Sequence, residues 1–312
     1  MRVFVCGNEL GLGFVIARRL VSDGHKVSIL TRFESLIPNL TKNGLSPVLG
    51  EIRDKVPKQM LAKADAVIDA ELPPHSLRRR VRIGQLRPVL IRQALAGSNR
   101  PLIVTSHAAV LGDTGPIPVT ESARANPLRG YAWLRRLEAE VLHGWDAGGV
   151  VVRPAWWIHG RGCITPLVVS KLVELAWRFR HGKYIGTGEN CFSAIQLDDL
   201  ADLYCLALEK ARPGMLLHAA SENLSTKEVA DTIHCAMKFR GKPSELSAEQ
   251  AERYARNLHS LTRSHALSSS LAQERLGWQP SRTSMLEQVE HNASVYAWAR
   301  RQRIPATECR FK

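Results

Sequence analysis

Short runs of apolar, mostly β-branched residues alternate with helix-patterned stretches through the first half of the chain, and few folds accept that order. Residues 3–6, 26–31, 47–49, 66–68, 102–104 and 150–152 read as strands. They are short and mostly apolar, which suits strands buried on both faces of a parallel sheet. Between them Phe14, Val15, Ala17, Leu20 and Val21 recur at helical spacing, and 88–96 and 131–142 read as further helices. Strand and helix in alternation give right-handed βαβ crossovers, hence an α/β, doubly wound sheet. After Pro154 the alternation weakens. Residues 164–179 read as helix and 194–197 as a short strand, after which Asp198-Asp199 is expected to cap a helix running to Lys210. Ser225 with Glu228, and Ser247 with Gln250, form capping boxes, and Gly277 is expected to stop a helix near Leu276. The expectation is a sheet domain over 1–153, to which 190–210 returns, and a smaller, helix-rich C-terminal lobe over 154–312.

The turn after the first strand carries the chemistry. In Gly7-Asn8-Glu9-Leu10-Gly11-Leu12-Gly13, glycines permit a tight turn and close approach of the backbone to a diphosphate. The helix that follows supplies free N–H groups and the positive end of its dipole. Strand before and helix after make this a Rossmann-type dinucleotide site, with Asn8 and Leu12 in the cradle. The second strand ends in Thr31-Arg32, with no Asp or Glu for a ribose 2′-hydroxyl. Arg32 suits a 2′-phosphate, so NADP is preferred and NAD is the second choice. The plainer alternative is that Arg32 is a surface residue beside the adenine.

Composition narrows the class. With 45% hydrophobic residues in 312, a large core is available. No apolar run approaches the roughly 20 residues of a membrane helix, and no charged leader with an apolar stretch and cleavage site is seen, so a cytoplasmic protein is expected. Six cysteines form neither a Cys-x-x-Cys pair nor a zinc-spaced cluster; free thiols and no metal are the expectation. The net charge of +14 draws anions, and a phosphorylated cofactor accounts for part of that. The clusters Arg78-Arg79-Arg80, 178–183 and Arg300-Arg301 with Arg303 read as solvated faces. Aromatics are 6%, too few to interleave with that charge, so nucleic acid is permitted but disfavoured.

Taken in order, several segments make the chain similar to the extended short-chain dehydrogenase/reductase superfamily, the NAD-dependent epimerase/dehydratase group. Besides the glycine turn, Gly50-Glu51-Ile52-Arg53-Asp54 resembles the segment after the third strand that touches adenine. The run 104–112, Val-Thr-Ser-His-Ala-Ala-Val-Leu-Gly, resembles the fifth strand and active-site loop. Tyr131-Ala132-Trp133-Leu134-Arg135 stands where the family has Tyr-x-x-x-Lys. Val152-Arg153-Pro154, the stretch 195–201 and Leu276-Gly277-Trp278-Gln279-Pro280 resemble later family segments. The resemblance implies a cofactor held by Gly7, Asn8, Gly11, Leu12, Gly13, Arg32, Glu51, Ile52, Ala70, Thr105, Tyr131, Arg135 and Pro154. It implies Tyr131 as proton donor or acceptor in hydride transfer, a small-molecule substrate and a homodimer.

The chain departs from that pattern at the catalytic residues. The family's Lys is Arg135, and its Ser or Thr falls on His107, with Ser106 one residue earlier. Arg135, four residues from Tyr131 on an expected helix, is placed to share its face and lower the phenol pKa, but it stays charged and relays no proton. His107 polarises a carbonyl, or is a structural loop histidine; Ser106 supplies the missing hydroxyl only if it points the right way along its strand. The acidic pair of sugar dehydratases is replaced by Ala108-Ala109. Trp156-Trp157-Ile158-His159 stands where epimerases carry an Asn. The tryptophans suggest an aromatic pocket wall with His159 near its mouth, or core packing between lobes. Two functions stay open: an NADP(H)-dependent reductase of a small non-sugar carbonyl, with an epimerase as its variant, or a cofactor-binding regulator without turnover.

Overall fold

A computed structural model describes residues 1–72, 78–95, 97–128, 130–143, 149–160, 167–254, 258 and 261–302, with the side chains at 56, 78–86, 167, 168 and 299 left out of the description. The first half runs β1 (Arg2–Cys6), α1 (Leu12–Ser22), β2 (Lys26–Thr31), α2 (Ile37–Lys42), β3 (Ser46–Leu49), α3 (Lys55–Lys63), β4 (Ala66–Asp69), α4 (Arg78–Leu95), β5 (Leu102–Thr105), α5 (Ala132–His143) and β6 (Val150–Pro154). Then come β7 (Trp157–His159), α6 (Leu167–Phe179), β8 (Lys183–Ile185), β9 (Cys191–Gln196), α7 (Leu197–Lys210), β10 (Leu216–Ala219), β11 (Glu222–Ser225), α8 (Thr226–Ala236), β12 (Ser244–Leu246), α9 (Ala248–Tyr254), α10 (Ser270–Leu276) and α11 (Met285–Arg301). Part of the expected 164–179 helix, together with Ala96, Cys163, Arg303 and Cys309, lies outside the described residues, as do the side chains of Arg78, Arg79 and Arg80.

All six expected strands form, and they join β10 in one parallel sheet of order β10-β6-β5-β4-β1-β2-β3. Strands β4 and β5 are buried at every residue, as an apolar run covered on both faces requires. The strand order reverses between β1 and β4, so their neighbouring crossovers diverge and leave a crevice beyond their carboxyl ends. Strand β10 is absent from the sequence expectation because Leu-Leu-His-Ala has no β-branched residue. Two small sheets, β11-β9-β7 and β12-β8, complete the fold.

Three local expectations change. Helix α1 buries Leu12, Ile16, Ala17 and Leu20, while Phe14, Val15 and Val21 are half-buried, because the i, i+4, i+8 stripe from Leu12 faces the sheet. Helix α4 runs through Pro88 instead of opening on it. The cap of α7 is Gln196, whose side chain accepts the N–H groups of Asp198 and Asp199; the two carboxylates sit in the first turn, where the dipole favours them. Asp199 accepts the N–H groups of Ser281 and Arg282 at 3.1 Å each, and its carbonyl accepts the Trp278 indole N–H at 3.0 Å, joining two of the family-like segments. The capping boxes at Ser225 and Ser247 and the left-handed stop at Gly277 form as expected.

Buried apolar residues fall into two groups. One holds the large sheet with α1, α4, α5, α7 and α10; the other gathers Trp157 and Phe192 with α6, α8 and α11. Cys6 and Cys205 are buried, Cys235 is exposed, and all the described cysteines are free thiols. Among the described residues no helix is long and apolar enough to cross a membrane.

Candidate cofactor and active site

The glycine turn is tight for reasons of chain packing. Gly7 (φ 86°) and Asn8 (φ 49°) are left-handed, and the Asn8 carbonyl accepts the N–H groups of Gly11 and Gly13 at 3.0 and 3.1 Å. A Cβ on Gly13 would stand 2.1 Å from the Gly7 carbonyl oxygen, and one on Gly7 2.6 Å from the Glu71 nitrogen. Helix α1 then starts at Leu12 with no side-chain cap and no acidic residue in its first turn. An uncapped helix end at the switch point of a parallel sheet fits a diphosphate.

At the far end of the crevice Arg32 is exposed beyond β2, its guanidinium 6.0 Å from the ring centre of the exposed Phe33. Glu51 pairs with Arg53 at 2.8 Å, and Ile52 is buried. Ala70 is buried, its N–H on the Cys6 carbonyl. Thr105 turns toward α7: its hydroxyl donates to the Asp69 carbonyl at 2.8 Å and shares a hydrogen bond with the Tyr204 hydroxyl at 2.6 Å. Pro154 is buried beside Ala219. All these positions lie at or just beyond the carboxyl edge of the sheet, apart from the helical Leu12 and Gly13.

Sequence reasoning missed a charged trio under the turn. Arg87, from α4, donates to Asp69 at 3.1 Å and to Glu71 at 3.2 Å, and the Glu71 carboxylate also accepts the Asn8 N–H at 3.1 Å. Burial pushes the Asp69 carboxyl up, against the pull of Arg87. The available signal was Asp69-Ala70-Glu71, two acids at the end of a buried parallel strand.

Beyond β5 the candidate catalytic residues separate. Ser106 points to the α5 face, buried, and donates to Glu138 at 2.5 Å. Glu138 in turn holds Arg153 through two bonds of 2.8 and 2.7 Å, and Arg153 approaches His218 at 3.3 Å. The Ser106 hydroxyl is therefore engaged inside the protein. His107, on the next residue, faces the other way. Its Nδ1 accepts the Ala109 N–H at 3.0 Å, which leaves the proton of the neutral ring on Nε2. Its ring stacks on Tyr131 (centroids 5.5 Å, 23°) and meets Trp156 edge-on at 5.1 Å.

Tyr131 precedes the first residue of α5 and is 8% exposed, whereas Arg135 is exposed. Burial pushes the Tyr131 phenol up to about 12. The expected lowering by Arg135 does not occur: burial disfavours the charged phenolate, and Arg135 itself stays in water. Trp156 lies flat on His265 (3.9 Å, 6°) and so lines the region of His107, while Trp157 is core, stacked on Phe192. His159 is not at a mouth: it is 1% exposed and bonded to Gln288 at 2.8 Å.

Burial holds two further histidines neutral, pushing His218 and His265 down to about 4. In the unfolded chain they bind protons at about 6.5, so the folded state loses stability only as pH falls below that value. Their contribution is complete above about pH 6.5 and gone near 4, each adding a slope of at most about 1.4 kcal/mol per pH unit between. Thermal unfolding followed from pH 7 to 4.5 is expected to show a falling midpoint; an unchanged midpoint across that window contradicts these assignments.

No family model matches the chain. It is 30% identical over 305 residues to the uncharacterized protein C2A9.02 of Schizosaccharomyces pombe, covering 94% of this chain and 99% of that one. It is 25% identical to the UDP-glucose 4-epimerase of Streptomyces lividans, over 91% of this chain and 93% of the relative. Among solved structures, the human epimerase family protein SDR39U1 with NADPH shares the fold at a TM-score of 0.70 and 18% identity, over 94% of this chain and all of that one. With its parallel seven-stranded sheet and its glycine turn, the chain has the fold of the extended short-chain dehydrogenase/reductases of the NAD-dependent epimerase/dehydratase group, and it is similar over nearly its full length to the Streptomyces UDP-glucose 4-epimerase.

Proposed function

We propose that the chain is an NADP(H)-dependent oxidoreductase that reduces the carbonyl of a small, non-sugar substrate. The observation that carries this reading is Tyr131, a buried phenol held protonated at neutral pH and stacked on His107. Such a group rests protonated and, though a weaker acid than a free tyrosine, still gives its proton to an alkoxide, a far stronger base. A reduced nicotinamide, when bound, supplies a hydride to the carbonyl carbon. As charge builds on the carbonyl oxygen, Tyr131 gives it the Oη proton and later recovers one from solvent. His107 polarises the same oxygen through its Nε2–H. Arg135 serves as the ribose anchor and relays no proton.

Arg32 supports NADP over NAD, and SDR39U1 was solved with NADPH; other structures of this fold hold NAD. Arg32→Ala is expected to weaken NADPH binding about tenfold and leave NADH binding nearly unchanged. Equal loss of both, or of neither, removes the 2′-phosphate role. The reduction itself is tested by mixing the protein with NADPH and a panel of aldehydes and ketones and following loss of nicotinamide absorbance. A second reading, a sugar-nucleotide epimerase, is favoured by the similarity to the Streptomyces enzyme. Conversion of a UDP-hexose with no net change in that absorbance selects it.

A further inference from the structure

We infer that Glu71 occupies the diphosphate seat of the cofactor site when no cofactor is bound, and so sets how tightly the cofactor is held. The inference rests on the dinucleotide reading of the glycine turn. The Glu71 carboxylate sits where an anion belongs: it accepts the Asn8 N–H at 3.1 Å, inside the turn whose left-handed backbone directs amides into a concavity. The same oxygen receives Arg87 at 3.2 Å. The approach is close, since a Cβ on Gly7 would lie 2.8 Å from the Arg87 guanidinium and equally close to the Glu71 Cα.

Charge decides what happens when a diphosphate arrives. One guanidinium already faces two carboxylates, Asp69 and Glu71. A diphosphate beside them would crowd further negative charge around one cation. Asp69 is fixed, with its side chain 6% exposed, while that of Glu71 is 35% exposed and, among the described residues, is held only by Asn8 and Arg87. Glu71 is therefore the group that rotates out. Its departure frees the Asn8 N–H and leaves Arg87 on Asp69, with its remaining field turned to the incoming phosphates.

Calorimetric titration of NADPH, and separately of inorganic pyrophosphate, into wild type, Glu71→Gln, Glu71→Ala and Glu189→Gln tests this. Glu189 is exposed on a distant loop and controls for net charge. Both Glu71 variants are expected to bind NADPH about tenfold tighter, and pyrophosphate tighter as well, with Glu189→Gln unchanged. NADPH binding that is unchanged or weaker in both Glu71 variants overturns the inference while leaving the cofactor reading intact, weaker binding meaning that Glu71 instead accepts a cofactor hydroxyl. No association of NADPH with any of the folded proteins overturns the cofactor reading and the inference with it.

Discussion

Tyr131→Phe is expected to lower NADPH-dependent carbonyl reduction by about 10²–10⁴-fold while leaving NADPH affinity within about twofold of wild type. The change removes one oxygen and keeps the ring that stacks on His107. What is lost is the proton given to the developing alkoxide, an interaction made only as the reaction proceeds, so kcat falls and binding does not. Because the phenol titrates at about 12, the rate should show no loss from Tyr131 ionisation between pH 7 and 10. Equal rates in wild type and Tyr131→Phe contradict the assignment. So does activity that disappears on raising the pH through 8, which would mean a phenol far more acidic than its burial allows.

Glu138→Ala is expected to destabilise the protein by about 3–5 kcal/mol. Glu138 and Arg153 are both buried and joined by two short bonds, and Glu138 also accepts a hydrogen bond from the Ser106 hydroxyl. Removing the carboxylate strands a guanidinium in a dry interior and orphans a hydroxyl. The buried His218 beside Arg153, already held uncharged, offers no compensating negative charge. The pair Glu138→Met with Arg153→Met removes both charges together and is expected to recover most of the loss. Denaturant unfolding of Glu138→Ala and of the double variant separates these cases. A single-variant loss below about 1 kcal/mol would mean that water reaches the pair.

Where the local pattern and the fold demand the same thing, the sequence was enough to read them. The six β-branched runs became the parallel strands, and the glycines leading into α1 and in its first turn form a bend that would not close with side chains at Gly7 and Gly13. The strand β10 was hidden because its residues carry no strand preference of their own; it forms because β6 offers an open edge in the sheet. The α1 face was misjudged for a related reason: Phe14 and Val15 are as apolar as Ile16, and only the position of the sheet decides between them. At the candidate active site, alternation along the strand separates Ser106 from His107, but direction alone did not reveal that Glu138 and Arg153 wait on the Ser106 side. Arg87 reaches the glycine turn from α4, eighteen positions beyond Asp69, a distance no motif spans. The Tyr131 shift depends on burial that becomes visible only once the fold stacks His107 on it.

The claim on which the rest depends is that the uncapped end of α1 and its glycine turn receive a dinucleotide diphosphate. Isothermal titration of NADPH into the wild-type protein and into Gly13→Ala, both verified as folded by circular dichroism, tests it most directly. A saturable site in wild type, lost in Gly13→Ala because its Cβ cannot stand 2.1 Å from the Gly7 oxygen, is the predicted result. Wild-type protein that takes up neither NADPH nor NADH at millimolar concentration, or a Gly13→Ala protein that binds as wild type does, contradicts it.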